Sequence, residues 1–489
     1  MKTLHVKRLG KALRRSSVSS ACQCRTLREQ NAALRRDNAR LLKENEACKK
    51  RIVSLRESLA EAHRAAKRQA APFSKGPPKA NPKRPGRKAG KHYGVKARRP
   101  VPHHVDDRYD APLPPVCRYC GGEVVETDTA WHYEEDIPPV RPIVRGFNVH
   151  LGHCMRCKRP LRGRHPLQTS DALGAAGVSI GPRALALAAE LNKGIGTSFG
   201  KVSGIFRTVF SLSITRGGLS LALGRVARSL APTYDALVAQ IRSAPVVAAD
   251  ETGWKVGGWL WWLWAFVTPR ITVYRIMDGR GYAEACSVLG VDFHATLLRD
   301  GWSPYRRFEH AVHQTCVGGH LIRRCKLNLE TAERGTARLP HAILRILERA
   351  LRLRDHWLDH PPTPHGRATH AGLLAAAMDR FLAWNPADDE NRKLVKHLRH
   401  ERDALFTFLR NPSVPASNWW GEQAIRPAVV TRKVWGGNRT PSGALTQQII
   451  ASVLRTSRQQ GVDPCLIIQD VLCSPMPRLA SLPSLAPGP

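Results

Sequence analysis

The chain has 489 residues, 42% apolar and 24% charged, enough for roughly three domains with at least one substantial core; a mini-protein and a wholly disordered chain are excluded. Its longest apolar run, Trp259 to Val267, falls well short of the roughly 18–20 residues that cross a bilayer. With Lys+Arg 77 against Asp+Glu 39, the net charge of +38 repels itself unless a polyanion is present, so nucleic acid is the expected partner and a basic coat on ribosomes or membrane surfaces the alternative.

The basic start MKTLHVKRLGKALRRSS leads into no apolar leader segment, and the expected location is the cytoplasm, at the nucleoid. From Leu27 to Leu59 a heptad follows: Leu27, Leu34, Leu41, Cys48 and Leu55 at one core position, with Asn31, Asn38, Asn45, Ile52 and Leu59 at the other. Asn at such positions favours a two-stranded parallel coil, so residues 1–70 are expected to form a coiled coil that makes a homodimer or higher oligomer. A solvated helix packed on its own protein is the alternative.

Residues 71–110 form a basic linker. Between Pro72 and Pro100 it holds ten Lys or Arg, six Pro and no acid, a composition that stays extended and contacts phosphates without reading bases. Lys83, Arg84, Arg87 and Lys88 are the expected DNA contacts there, in a minor groove.

Residues 111–165 carry two CxxC knuckles, Cys117/Cys120 and Cys154/Cys157, separated by 33 residues of strand-like sequence. Two thiolates from each complete a tetrahedral, closed zinc site, with His150 or His153 as substitute ligands. From 166 to 240 the chain reads as helices, and TSFGKVSGIFRTVFSLSITRGGLSLALGRV has helix–turn–helix character with Ser213 or Thr215 as an N-cap. A DNA reader and an ordinary helical hairpin fit it equally.

The span 241–460 carries the chemistry. APVVAAD ends its apolar run at Asp250, two further β-rich runs and a helix follow, and ATLLRD ends at Asp300. Three strands, a helix and a fourth strand open a ribonuclease H-like sheet, in which the first and fourth strands are neighbours. Asp250 and Asp300 then meet, and their repulsion asks for a divalent cation. Glu251 faces the other side of the strand and is the lesser candidate. Glu422, early in a helix expected to pack on the sheet, is the candidate third acid. Residues 461–489 are read as a tail, disordered from Pro475 to Pro489.

DETGW at 250–254, DGWSPY at 300–305, CVGGHLIRR at 316–324 and NWWGEQAIRP with Arg432-Lys433 resemble signature segments of the insertion sequence 66 family of DDE transposases. The resemblance implies a multidomain α+β protein: an N-terminal coiled coil, a four-cysteine zinc-binding module, a helical DNA-binding region, and a ribonuclease H-like α/β catalytic core with a helical insertion at about 330–400. It implies a DDE triad of Asp250, Asp300 and Glu422 binding two Mg2+ or Mn2+ ions, with one structural Zn2+ at the knuckles. The reaction it implies is two-metal phosphoryl transfer, cleaving transposon ends and joining their 3′ ends to target DNA. Double-stranded DNA is the implied partner, with accessory proteins of the same element as further candidates and no membrane. His320, Arg323, Arg324, Arg426, Arg432 and Lys433 are the expected DNA contacts of the core, with a structural role open for His320, and Trp419 and Trp420 are candidates to stack on an unpaired base.

The chain departs from the family pattern at Trp419, where a second Asn is usual, at Gln423, where an Arg usually follows the Glu, and at Gly318-Gly319 before the His. Loss of that arginine removes an expected phosphate contact beside a metal ligand and points to reduced activity or a degenerate copy; the rival readings are a relic that binds DNA without cleaving it and a nuclease that cuts without joining.

Overall fold

The computed structural model describes residues 28–59, 99–173, 177–333, 335–474 and 478–485. Lys83, Arg84, Arg87, Lys88 and Leu27 lie outside them. The first element, α1 at residues 28–59, is a helix along its whole length, and in the single chain its heptad residues Leu34, Leu41, Ile52, Leu55 and Leu59 are exposed.

The strand-like reading between the knuckles does not hold for 121–150, which contains no strand. Only a hairpin of β1 (Leu151–His153) and β2 (Pro160–Arg162) flanks the second knuckle. The intervening apolar residues, among them Ile137, Ile143 and Val144, are exposed, so β-branched composition here has no sheet to join.

The helical region contains α2 (Pro182–Ala189), a π-turn at Glu190–Gly194, α3 (Phe199–Phe210) and α4 (Arg216–Ser243). Thr215 caps α4 by accepting from Gly218 N. The long α4 buries Leu219, Leu223, Val226, Leu230, Leu237 and Ile241 in the main core, and α3 buries Val202 and Phe206 in the same core.

The central sheet follows. β3 (Val246–Val256), β4 (Trp259–Val267) and β5 (Thr272–Met277) form an antiparallel meander, α5 (Tyr282–Leu289) crosses over, and β6 (Thr296–Arg299) and β7 (Val312–Thr315) complete it. The spatial order is β5-β4-β3-β6-β7, with β6 parallel to β3 and β7 parallel to β6. The expected pairing of first and fourth strands is therefore present. Alternation along β3 divides the molecule: Val247 and Ala249 face the core built with α4 and α5, while Val246, Ala248 and Trp254 face the other.

That second face is covered by α6 (Ile322–Glu330), α7 (Arg338–Asp359), α8 (Pro364–Leu382), α9 (Asp389–Glu401) and α10 (Thr407–Arg410). Next come α11 (Trp419–Trp435), α12 (Pro441–Gln459) and α13 (Pro464–Cys473). The helical insertion thus spans Ile322 to Arg410, somewhat more than the expected 330–400.

α12 closes the sheet edge. The β5 amides of Thr272, Tyr274 and Ile276 donate to Thr456 Oγ1, Ser452 Oγ and Gln448 Oε1 at 3.1, 2.8 and 3.0 Å. Four helical residues rise about 6 Å and two strand residues about 6.6 Å, so a polar residue at every fourth helix position meets every second strand amide. An edge that invites pairing is thereby covered.

The tail reading is corrected as well. Residues 464–473 are helical, and Ala480 and Leu482 are buried. Ala480 N donates to Thr233 Oγ1 at 2.9 Å and Ser484 N to Gln460 Oε1 at 3.0 Å. Ala480 and Leu482, in the stretch read as disordered, pack into the main core with α4. Among the described residues, no helix is long and apolar enough to cross a membrane.

Candidate active site

Ala248 pairs in parallel register with Leu298. Asp250 and Asp300 stand two residues beyond these partners, so they extend from adjacent strands about 4.8 Å apart. Each carboxylate is pinned through one oxygen: Asp250 Oδ1 accepts from Glu251 N and Asp300 Oδ1 from Trp302 N, both at 2.9 Å.

Glu422 arrives on the first turn of α11. That helix is anchored to β3 by its leading residue, Asn418, whose Nδ2 donates to Ala249 O at 2.9 Å and whose backbone N–H donates to Cys316 Sγ at 3.4 Å. Gly421 permits the approach, because a Cβ there would lie 2.9 Å from Asp250 Cβ. Below Glu422 runs a π-turn at Val317–Leu321. Its Gly319 has a steric reason: a Cβ there would sit 2.8 Å from Cys316 Sγ and 3.5 Å from Glu422 Oε1. His320 Nε2 lies 3.6 Å from Glu422 Oε1.

The charges register one another. Burial, the neighbouring Glu251, and the more distant Asp300 and Glu422 carboxylates push the Asp250 carboxyl up to about 7. Asn418 Oδ1 is buried with no hydrogen-bond partner, and the Cβ position of Gly421 is 3.0 Å from it. Crowded carboxylates beside an orphaned carbonyl oxygen form an all-oxygen donor set, which suits a hard divalent cation. Among the described residues, however, no three His, Cys, Asp or Glu side chains close into a metal cage.

Glu251 has a different occupation. On the opposite face it takes Arg280 Nε and Nη2 at 2.8 and 2.7 Å and the Tyr305 hydroxyl at 2.5 Å. Arg280 is clasped between the rings of Trp262 and Trp302, 4.5 and 4.1 Å from their centroids. Since Trp302 also donates to Asp300, this network holds the loop bearing the second acid. Beneath the same loop Arg299 Nη1 binds Glu401 Oε2 at 2.6 Å and the Asp300 carbonyl at 3.1 Å, and Arg306 meets Glu401 Oε1 at 3.2 Å. Glu401 is fully buried. Neither network was legible in the sequence, because Glu251 stands 29 and 54 residues from Arg280 and Tyr305, and Glu401 102 residues from Arg299.

The expected DNA contacts separate into two kinds. Arg323, Arg426 and Lys433 are exposed. Arg324 is turned to His397 Nδ1 at 2.8 Å. Arg432 fastens α11 to β3 through Thr252 Oγ1 at 2.7 Å and the Gly253 carbonyl, and burial lowers its pKa. Trp419 is exposed, whereas Trp420 packs against the core.

The cysteine pairs adopt one conformation twice. Cys117 N donates to Gly122 O and Gly121 N to Cys117 O, and in the same pattern Cys154 N donates to Arg159 O and Lys158 N to Cys154 O. The fourth residue after each leading cysteine is left-handed, Gly121 at φ 75 and Lys158 at φ 57. Amides of Tyr119 and Cys120 lower the Cys117 thiol, and those of Cys157 and Arg156 lower the Cys154 thiol. Each knuckle is preformed toward a thiolate, and the two are not brought together into one four-cysteine cluster among the described residues.

Comparison with known proteins places this geometry in a family. Residues 177–446, over half of the chain, match the family described as Transposase IS66 family, and that stretch includes Asp250, Asp300, Glu422 and strands β3 to β7. A curated relative, Uncharacterized protein y4qI of Sinorhizobium fredii (strain NBRC 101917 / NGR234), is 22% identical over 284 residues, 52% of this chain and 52% of the relative. The chain thus spans about half the length of that relative. By the match over its central and catalytic-candidate regions, the chain belongs to the IS66 family of transposases.

Proposed function

We propose that the protein is a DDE-type DNA transposase that cleaves phosphodiesters at the ends of an insertion sequence and joins the 3′ ends to target DNA. The observation that carries this reading is the approach of Glu422, on α11, to the Asp250 and Asp300 pair at the junction of two parallel strands. The strand order, third-second-first-fourth-fifth with the first strand central, fits the ribonuclease H-like reading and supports the same conclusion.

Asp250, Asp300 and Glu422 are the residues that would hold two magnesium or manganese ions, whose chemistry when bound is to activate water and stabilise charge on phosphate oxygens. Asn418 holds Glu422 against β3. Trp302, locked by Arg280 and Glu251, holds Asp300. His320, beside Glu422, orients that carboxylate and faces the scissile strand. Exposed Arg323, Arg426 and Lys433 contact phosphates, joined by Lys83, Arg84, Arg87 and Lys88 of the linker, and Trp419 stacks on an unpaired end base. Zinc at Cys117, Cys120, Cys154 and Cys157 would join the two knuckles. The exposed leucines of α1 pair two copies of the chain, accessory proteins of the same element complete the assembly, and the protein works at the bacterial nucleoid.

A second reading, a weakened relic that binds DNA without cutting, is favoured by Gln423, exposed where the family carries an arginine. Strand transfer with magnesium on DNA bearing candidate terminal repeats separates the readings. Joined products support the transposase, cut but unjoined products a nuclease, and a mobility shift alone the relic.

A further inference from the structure

A cavity of about 730 Å3 lies at the far end of α11, lined by Trp435 and roughly 20 Å from Glu422 at 1.5 Å per helical residue. Three helices begin at its wall. Phe199 and Gly200 open α3, Arg216 and Gly217 open α4, and Thr440 caps α12. Each start carries a side-chain cap: Ser198 accepts from Lys201 N, Thr215 from Gly218 N and Thr440 from Gly443 N. A helix N-terminus carries about half a positive charge, and here three converge. Lys193, Lys201, Arg216 and Arg439 line the same space, and among the described residues no Asp or Glu does.

Lys193 is the independent sign of a ligand. It is 6% exposed and stands on the π-turn at Glu190–Gly194, a distortion that often marks function. Its Nζ lies 5.3 and 5.5 Å from the ring centroids of Phe199 and Trp435. Among the described residues it forms no hydrogen bond and no ion pair. Burial takes its pKa down to about 7. An amine so placed is costly unless an anion reaches it. Gly200 keeps the guanidinium of Arg216 at the cavity, since a Cβ there would lie 3.3 Å from Arg216 Nε.

We propose that this cavity seats one backbone phosphate of the DNA strand that runs to the carboxylate site, held by Lys193, by Lys201, Arg216 and Arg439, and by the N–H groups of three helix starts. The inference rests on the DNA reading of that site and adds a second anchor to it. Because the seat and the carboxylates are held about 20 Å apart by one helix, the seat fixes where along the strand the carboxylates act.

The test uses the full chain and a labelled duplex titrated at several salt concentrations. Lys193→Met removes the buried cation at similar volume. Gly217→Phe fills the mouth without changing charge, at a position where a Cβ meets nothing within 4 Å. Both variants are expected to bind about tenfold more weakly, and Lys193→Met with a salt slope shallower by about one. Melting curves verify folding; if Lys193→Met melts early, Gly217→Phe carries the test. Parent-like binding by a folded Gly217→Phe overturns the seat while leaving the carboxylate reading, which is assayed separately by cutting. Failure of the parent to bind the duplex overturns both. Calorimetry with orthophosphate separates the sources of phosphate: a heat lost in Lys193→Met, together with unchanged duplex affinity, assigns the cavity to free phosphate and overturns the DNA seat.

Discussion

The side-chain amide of Asn418 donates to the carbonyl of Ala249 at 2.9 Å, tying the residue ahead of helix α11 to the residue ahead of Asp250. Through that one bond the third acid is positioned against the first. Asn418→Ala leaves a carbonyl in a buried environment without its donor, which costs about 1–3 kcal/mol. Cleavage is expected to fall by at least about tenfold while DNA affinity, which depends on phosphate contacts elsewhere, stays near that of the parent. Equal losses of affinity and cleavage would contradict the positioning role.

Gly421 makes the second close approach. A methyl group there meets Asp250 Cβ at 2.9 Å, and both atoms belong to rigid elements, so α11 has to move off β3. Gly421→Ala is expected to lose cleavage with a modest drop in melting temperature, and Gly319→Ala to follow through Cys316. A Gly421→Ala variant that cuts like the parent would show that the helix start is not held at its observed distance.

Lys193 gives the fold a pH dependence. Burial lowers it from 10.5 to about 7, so between those values the unfolded chain holds one more proton than the folded chain. Stability therefore rises with pH across that window, and below about 7 the charged amine weighs fully against the fold. Raising the pH from 7 to 9 is expected to raise the melting temperature of the parent more than that of Lys193→Met. The other charges at the cavity, Lys201, Arg216 and Arg439, and the nearby Glu190–Arg458 pair are common to both proteins and cancel in the comparison. Parallel curves would show that Lys193 keeps its proton in the folded chain.

Magnesium is expected to raise the melting temperature of the parent, because a cation relieves the crowding of Asp250, Glu251, Asp300 and Glu422. Asp250→Asn removes the carboxylate that burial and its acidic neighbours push up to about 7. The metal-free variant is expected to be more stable than the metal-free parent, on the order of 2 kcal/mol, to respond weakly to magnesium, and to cut nothing. An equal magnesium shift in both proteins would place the ion elsewhere.

What the sequence disclosed followed the range of the interactions involved. Asp250 and Asp300 were legible because each closes an apolar run, and strand order alone makes those runs neighbours. Thr215 was legible as a cap because it bonds three residues away. Glu422 came from a motif rather than from spacing, since nothing local ties residue 422 to 250. Asn418 and Gly421 act across 169 residues or more, and their role exists only once α11 lies on β3. Gln448, Ser452 and Thr456 look like one polar stripe of an amphipathic helix; that they replace a missing strand partner depends on a sheet edge about 180 residues earlier. The apolar residues between the knuckles misled for the opposite reason, since strand propensity without a neighbouring strand builds no sheet.

The central claim is that three carboxylates together hold the catalytic metal ions, and replacing magnesium with Fe2+ tests it most directly. With hydrogen peroxide as oxidant and ascorbate to return Fe3+ to Fe2+, iron held by Asp250, Asp300 and Glu422 generates hydroxyl radicals that cut the nearby polypeptide, and mass spectrometry locates the cuts. Cuts beside all three positions, suppressed by excess magnesium and absent from Asp250→Asn, are the predicted result. Cuts beside 250 and 300 with none near 422 would contradict it.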